Sequence, residues 1–127
     1  MHSVSHFELP YDNPERAKGF YSQVFGWQIQ DIPEMNYTMV TTSPVDQDQR
    51  PTMPGTINGG LMPREGTGKL PVIVVSVPSI TECISKVEET GGSVVMEKKP
   101  IGEMGYYARV KDTEGNIIGI WETRRGA

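Results

Sequence analysis

The chain has 127 residues, of which 36% are hydrophobic and 22% charged, with a formal net charge of −4. This length fits one ordinary domain, and the composition is that of a globular protein. A nucleic-acid-binding protein is expected to carry a stripe of basic residues, and this sequence has only the short basic pair Arg124–Arg125. The composition therefore argues against a nucleic acid as partner.

Cysteine content and hydrophobic runs indicate the compartment. The one cysteine, Cys83, allows no intrachain disulfide and no paired-cysteine metal motif. No apolar run is long enough to cross a bilayer, and the first residues lack the charged and apolar regions of a signal peptide. We therefore expect a cytoplasmic protein that has no membrane partner.

Two segments of the chain repeat one pattern at an offset of 66 positions, as between Phe7 and Ile73. Residues 5–11 and residues 71–77 both alternate apolar side chains with other residues, and this period of two predicts a strand in each segment. One face of each strand, with Phe7 in the first copy and Ile73 in the second, is therefore apolar.

Each of these strands is followed by a helix pattern that ends in glycine. In the first copy, Asn13 is a suitable N-cap, and Pro14 suits the first helical position. In the second copy, Ser79 begins a capping box. Gly26 and Gly92, again 66 positions apart, are predicted to end the two helices in the left-handed conformation. The apolar helix faces comprise Ala17, Tyr21 and Val24 in the first copy and Cys83, Ile84 and Val87 in the second.

Further strands are predicted in both halves. They cover residues 27–29, 37–42 and 56–62 in the first half and residues 93–95, 106–111 and 116–122 in the second, and Asp112–Gly115 is predicted as a tight turn. The proline-rich segment 43–55 is predicted as a mobile loop and a candidate lid. The fold class is therefore α+β, with the order βαβββ twice, in a first module of residues 1–65 and a second of residues 66–127.

Several motifs in this order resemble one protein family. They are His6–Pro10, Pro14–Ala17, Phe20–Tyr21, Val24–Trp27, Asn58–Met62 and Asp112–Trp121. With the duplicated βαβββ order, they make the chain similar to the vicinal oxygen chelate superfamily. This superfamily contains glyoxalase I, bleomycin-resistance proteins and extradiol dioxygenases, and the pattern is nearest to its lactoylglutathione lyase-related branch. The resemblance implies a cup-shaped mixed sheet with the helices outside, so that Phe7 and Ile73 would lie under the first and the second helix. It also implies a homodimer.

The resemblance also implies four metal-ligand positions, on the first and the last strand of each module. They fall on His6, Val72, Gly60 and Gly119, so only one of them carries a metal-binding side chain. Zinc and iron sites of this kind need three or four protein ligands. We therefore predict no metal and no other cofactor. The alternatives are a divalent metal held through His6, and a shifted last strand that brings Glu122 toward the cup.

His6 and Glu8 are the predicted catalytic pair. They lie two residues apart on one strand, so their side chains share a face. We predict that His6 acts as a general base, and that Glu8 accepts a hydrogen bond from it, fixes its tautomer and raises its pKa. The alternative is that the pair binds only itself, water or a backbone group.

The predicted ligand-binding residues are those assigned to the cup face. They are Tyr37, Met39, Asn58, Gly60, Met62, Val72, Val74, Gly119 and Trp121, together with one of Tyr106 and Tyr107. An aromatic and methionine lining suits a flat or apolar small molecule. Ordinary core packing is the alternative for each side chain.

Two functions follow from these expectations. The first is a lyase- or isomerase-type enzyme, similar to glyoxalases, that acts on a small oxygenated metabolite with an incomplete metal site. The alternative is a binding protein that sequesters a small molecule such as a drug or toxin without converting it, as the resistance branch of the resembled family does. Fold alone does not decide between them.

Overall fold

The computed structural model describes residues 1–124 and shows an α+β chain in the order βαβββ, twice. The elements are β1 (Val4–Tyr11), α1 (Pro14–Phe25), β2 (Gln28–Ile32), a 3-10 helix (Pro33–Met35), β3 (Tyr37–Thr41), β4 (Asn58–Pro63), β5 (Val72–Ser76), α2 (Ile80–Glu89), β6 (Ser93–Ile101), β7 (Gly105–Lys111) and β8 (Ile117–Thr123). The predicted fold class and element order are confirmed. Arg125 of the basic pair and the end of the predicted second module lie outside the described residues.

The chain forms two compact units. His6–Pro71 is the N-terminal unit, and Met1–Ser5 belongs with the chain from Val72 onward, the C-terminal unit. In the N-terminal unit the strand order is β2-β3-β4-β1. Strand β1 runs parallel to β4, whereas β4 and β3 are antiparallel, as are β3 and β2.

The two units repeat one register around a glycine. In the N-terminal unit Gly60 pairs with Glu8 of β1. The C-terminal unit has the strand order β5-β8-β7-β6, and Gly119 pairs there with Val74 of β5. Because Glu8 and Val74 are 66 positions apart, the predicted equivalence of Gly60 and Gly119 is confirmed.

Helix α2 packs on one face of the C-terminal sheet. The buried core consists of Val77, Ile80, Ala108, Val110 and Ile120, with Val75, Cys83 and Tyr106 among the side chains packed against it. Burial raises the pKa of the Cys83 thiol, as expected for a core cysteine rather than a nucleophile. Ile73 was predicted under the helix, but its side chain is 48% exposed and is not among those packed against this core.

Helix α1 begins as predicted but buries less than predicted. The side chain of Asn13 accepts a hydrogen bond from the Arg16 N–H at 2.9 Å. Tyr21 stacks on Trp27 with 5.1 Å between ring centroids, and this aromatic pair forms the packed side of the helix. Val24 lies outside that contact and is 55% exposed, so its predicted inner position is wrong. No helix in residues 1–124 is long and apolar enough to cross a membrane.

The glycines that follow the two helices act differently. Gly26 has φ 70° and caps α1 as predicted. After α2, Gly91 rather than Gly92 is left-handed, with φ 99°. Gly92 is needed for space instead, because a Cβ atom there would lie 2.6 Å from the carbonyl oxygen of Lys111. The left-handed residue after the helix is therefore one position earlier than predicted, and the helix itself ends at Glu89.

Segment 43–55 is organised around Asp46. The Asp46 carboxylate accepts hydrogen bonds from the backbone N–H groups of Asp48 at 2.8 Å and Arg50 at 3.0 Å. Such an Asx turn gives a polar segment a defined backbone path. The loop thus has internal hydrogen bonds, and its role as a lid stays a prediction.

Glu122 links β8 to the start of α2. Its Oε1 accepts a hydrogen bond from the Ile80 N–H at 2.8 Å and lies 3.7 Å from Lys98 Nζ. A carboxylate at a helix N-terminus is stabilised by the unpaired N–H groups there. Glu122 therefore serves the helix, and the alternative alignment that turned it toward a ligand site is wrong.

We expect Glu122→Ala to lower the free energy of unfolding by about 1–3 kcal/mol, because the buried Ile80 N–H loses its acceptor. Glu122→Gln keeps an acceptor oxygen and should cost less. Urea denaturation measures both variants, with Glu97→Ala, an exposed glutamate on β6, as the control. Equal losses for Glu122→Ala and Glu97→Ala would contradict the assigned role.

Candidate functional site

One face of the N-terminal sheet carries most of the predicted site. The register pairs His6 with Asn58 and Gly60 with both Glu8 and Met39, and side chains in register share a face. Alternation along β3 and β4 adds the remaining members. The face therefore comprises His6, Glu8, Tyr37, Met39, Asn58, Gly60 and Met62.

A tyrosine hydroxyl connects the two predicted catalytic residues. The His6 Nε2 atom lies 2.9 Å from the Tyr37 hydroxyl oxygen, within hydrogen-bond distance. The same hydroxyl donates toward Glu8 Oε2 at 3.5 Å. Glu8 is buried and His6 is half-buried. The three side chains thus form one polar cluster on an otherwise largely apolar sheet face.

This geometry corrects the predicted contact between His6 and Glu8. The hydrogen bond of the imidazole goes to Tyr37, and Glu8 acts on His6 through its charge. Burial lowers the pKa of His6 below its ordinary value of 6.5, and the charge of Glu8 opposes this effect only in part. The predicted rise in the His6 pKa is therefore wrong. A neutral imidazole at neutral pH is the form that accepts a proton.

Gly60 makes room for the Tyr37 hydroxyl. A Cβ atom at residue 60 would overlap with the hydroxyl oxygen and the end of the Tyr37 ring. Tyr37 therefore occupies the space that any side chain at residue 60 would need. Both Gly60 and its neighbour Met62 are buried, so the arrangement has little freedom to relax.

The donor set does not fit the metal implied by the family resemblance. In the N-terminal unit His6 is the only predicted ligand position with a metal-binding side chain, and Tyr37 fills the space at Gly60. In the C-terminal unit Val72 and Gly119 provide no donor. Within residues 1–124, no three His, Cys, Asp or Glu side chains come together as a metal site would require.

The C-terminal unit repeats the tyrosine over a glycine. A Cβ atom at Gly119 would lie 2.6 Å from the Tyr107 hydroxyl oxygen, so Tyr107 rather than Tyr106 shares the face of Gly119. Tyr106 packs on the helix side. Arg109 Nε donates a hydrogen bond to the Tyr107 hydroxyl at 2.9 Å.

Arg109 is a buried charged residue that the sequence analysis missed. It is 7% exposed and pairs in register with Gly119, opposite Val74 on the other side of β8. Strand alternation would have indicated its position, since Arg109 follows Tyr107 by two residues on β7.

Two predicted lining residues also have structural partners. The Asn58 side-chain oxygen accepts the Thr42 N–H at 2.8 Å, which fixes the end of β3 against β4. Trp121 Nε1 donates to the Thr123 hydroxyl at 3.0 Å. Val72 and Val74 are each 2% exposed. These contacts give each residue a packing role, and their roles in ligand binding stay predictions.

Comparison with known proteins first gives sequence relatives. Residues 4–43 match the family model described as bleomycin resistance protein-like N-terminal. The chain is 27% identical over 122 residues to CFP32, named as a candidate glyoxylase, in Mycobacterium tuberculosis and Mycobacterium bovis. The match covers 93% of this chain and 44% of the relative, so the chain spans less than half the length of the curated relatives it matches.

Solved structures with the same fold cover almost the whole chain. The hypothetical protein BH1468 from Bacillus halodurans aligns with a TM-score of 0.66 at 16% identity, over 99% of this chain and 97% of that one. A glyoxalase/bleomycin resistance protein/dioxygenase superfamily member from Vibrio splendidus aligns with a TM-score of 0.61 at 15% identity, over 97% and 99%. The chain has the fold of this superfamily. Methylmalonyl-CoA epimerase from Mycobacterium tuberculosis shares it, with a TM-score of 0.63 at 12% identity over 94% and 87%.

The Tyr37–Gly60 packing in this superfamily fold can be tested by substitution. Gly60→Ala should destabilise the protein by about 1–3 kcal/mol, because the added methyl group overlaps with Tyr37. In a Tyr37→Ala background the same change should cost less. Gly19→Ala in α1 is the control, where the added methyl group meets only an ordinary contact. Urea denaturation measures all variants, and an equal cost of Gly60→Ala in both backgrounds would argue against the packing.

The protonation of His6 can be measured directly. We expect its imidazole to titrate below pH 6.5 in proton NMR, since burial disfavours the charged form. Because the unfolded chain then binds a proton more readily, the free energy of unfolding should fall as the pH drops below about 6.5. The His6→Gln variant lacks the imidazole signal of His6 and so identifies it. The signal of the exposed His2 remains in that variant. A His6 pKa at or above 6.5 would contradict the burial argument.

Proposed function

We propose that this chain is a lyase- or isomerase-type enzyme that moves a proton at a carbon next to a carbonyl group in a small oxygenated metabolite. The observation that carries the proposal is the cluster of His6, Tyr37 and Glu8 on one sheet face. His6 takes the role of general base, and Glu8 that of the charge that favours its protonated form.

The proposed reaction begins with proton removal by His6 and uses water as the source of a proton on the opposite face. His6 takes the proton from the carbon, and the electron pair moves onto the carbonyl oxygen to form an enolate. Protonation of the enolate on the opposite face of the same carbon inverts that carbon and gives an isomerase. Departure of a group from the next carbon, with its bonding electron pair, as the enolate re-forms the carbonyl and a carbon–carbon double bond, gives a lyase. The lowered His6 pKa supports this role, because a base must be unprotonated before it reacts. No step of this scheme needs a metal ligand that the chain lacks.

The fold relatives support the isomerase form of the proposal. Several solved structures that share the fold are methylmalonyl-CoA epimerases, and one contains methylmalonyl-CoA. Epimerisation next to a thioester carbonyl is removal of a proton from one face of the carbon and addition of a proton to the other, which is the chemistry proposed here. We therefore place acyl thioesters and related carbonyl compounds first among the candidate substrates.

Hydrogen exchange tests the proposal without knowledge of the product. Candidate thioesters, hydroxy ketones and glyoxal hemithioacetals are incubated with the protein in D₂O, and proton NMR follows loss of the signal from the carbon-bound hydrogen. We expect exchange with at least one class, slowed roughly 10²–10⁴-fold in His6→Gln. The control His2→Gln changes the other histidine and should exchange at the wild-type rate.

The second candidate function is sequestration of a small molecule without conversion. The match of residues 4–43 to a bleomycin resistance protein-like model favours it. Stoichiometric ligand binding without exchange, unchanged in His6→Gln, would reject the enzyme and support the binding protein. Exchange that depends on His6 would reject pure sequestration.

We propose a cytoplasmic homodimer as the assembled form. The apolar side chains of Phe20, Val24 and Phe25 on α1 are each more than half exposed, which is consistent with burial against a partner. Sedimentation equilibrium distinguishes a chain of 14.1 kDa from a particle of twice that mass. A monomer at micromolar concentration would contradict the dimer.

A further inference from the structure

The hairpin of β2 and β3 sets where the side chain of Tyr37 begins. Tyr37 is the first residue of β3 and pairs with Ile32 of β2, the outermost strand of the N-terminal unit. The residue before it, Asn36, ends the 3-10 helix with a left-handed φ of 50°. The position of the Tyr37 backbone therefore depends on how this end of the hairpin is held.

A cleft of about 260 Å³ lies between this end of the hairpin and the first turns of α1. Pro14 and Lys18 line it on the helix, and Asp31, Tyr37 and Thr38 line it on the hairpin. Where a cleft separates two elements, the van der Waals contacts between them are lost. The hairpin is therefore held to α1 here by side chains that reach across the cleft.

A chain of polar contacts crosses the cleft. The hydroxyl of Thr38, a residue only 6% exposed, donates a hydrogen bond to Asp31 Oδ1 at 2.8 Å. Asp31 Oδ2 accepts a hydrogen bond from Lys18 Nζ at 2.6 Å, and Lys18 Nζ also lies 3.4 Å from a carboxylate oxygen of Glu15. The hydrogen bond from Lys18 holds the pKa of Asp31 below its ordinary value, so the carboxylate is charged at neutral pH. The contacts therefore tie the residue next to Tyr37 to helix α1.

Thr38 and Tyr37 point to opposite faces of β3, as successive residues of a strand do. Thr38 is bonded on the helix side, whereas Tyr37 extends over Gly60 to His6 on the site face. The two residues share a peptide unit, so a bond that holds Thr38 also limits the movement of the Tyr37 backbone. A small tilt of that backbone moves the hydroxyl most, because it is the atom farthest along the side chain.

We infer that Thr38 and Asp31 are positioning residues, which hold the Tyr37 hydroxyl beside His6 from the opposite face of the sheet. Lys18 anchors them to α1. The position of Tyr37 is a property of the free protein. Only the consequence for catalysis, a slower proton transfer when Tyr37 is displaced, rests on the proposed function.

The His6 pKa, measured by proton NMR, reports on Tyr37 without any substrate. Thr38→Val keeps the branched shape of the side chain but removes the hydroxyl that binds Asp31. When Tyr37 is displaced, water reaches the imidazole, and the burial that lowers its pKa is reduced. We therefore expect the His6 pKa to rise by about 0.5 in Thr38→Val, toward its ordinary value. Thr38→Ser retains the hydroxyl and should stay near the wild-type value.

Asp31→Ala removes the acceptor instead of the donor. It should also raise the His6 pKa, although the loss of a negative charge would by itself lower it. A rise in this variant therefore reports displacement of Tyr37 rather than a direct effect of charge.

Two controls separate positioning from a general loosening of the strand. Ser43→Ala removes another buried hydroxyl hydrogen bond, to Thr56 at 2.8 Å beyond the other end of β3, and should leave the His6 pKa unchanged. In a Tyr37→Ala background, Thr38→Val should no longer change it. An unchanged or lowered pKa in Thr38→Val or Asp31→Ala would overturn the inference. An equal rise in Ser43→Ala, or a rise that persists without the Tyr37 ring, would do the same.

Hydrogen exchange on a substrate tests the catalytic consequence separately. Thr38→Val should slow the exchange, and Thr38→Ser should restore it. A protein in which Thr38→Val raises the His6 pKa but which exchanges no substrate hydrogen would leave the inference in place and reject only the proposed function.

Discussion

The hydroxyl of Tyr37 lies where a side chain at residue 60 would have to begin, and the candidate site depends on that exchange of space. Because Gly60 has no Cβ atom, the tyrosine ring can extend across β4 and bring its oxygen to His6 and Glu8. In a sheet the pairing register fixes which residues are neighbours. Gly60 therefore leaves this strand position without a side chain and allows the Tyr37 hydroxyl to occupy the space.

Both units have a tyrosine hydroxyl over a glycine, but the charged residues around it differ. In each unit a tyrosine hydroxyl lies over a buried glycine, at Gly60 and at Gly119. The N-terminal copy places His6 and Glu8 beside it, whereas the C-terminal copy has two valines on the equivalent strand and a buried arginine, Arg109. Backbone pairing and packing are thus shared by the copies, while a histidine and a glutamate occur in one and a buried arginine in the other.

The sequence predicts strands and helices well here because their signals are local. Period-two alternation and capping residues act within a few positions, and the shared offset of 66 positions links the two copies. The site is predicted less well because its contacts depend on how far each side chain extends toward the neighbouring strands. Alternation places Tyr37 on the correct face, but only the three-dimensional path of its ring brings the hydroxyl between His6 and Glu8. The prediction that Gly92 is the left-handed residue fails for a similar reason. Gly92 is needed because a Cβ atom there would clash with the carbonyl oxygen of Lys111, which is distant in sequence.

The balance of burial and charge at His6 favours the neutral form of its imidazole. Burial alone would disfavour the imidazolium more strongly than the two effects do together. A directly bonded carboxylate would do the opposite and favour the charged form before any substrate arrives. Placing Tyr37 between the two keeps Glu8 close enough to stabilise the imidazolium but leaves burial as the larger effect. A histidine under these two opposed influences can accept a proton and release it again, which is what a reversible proton transfer requires.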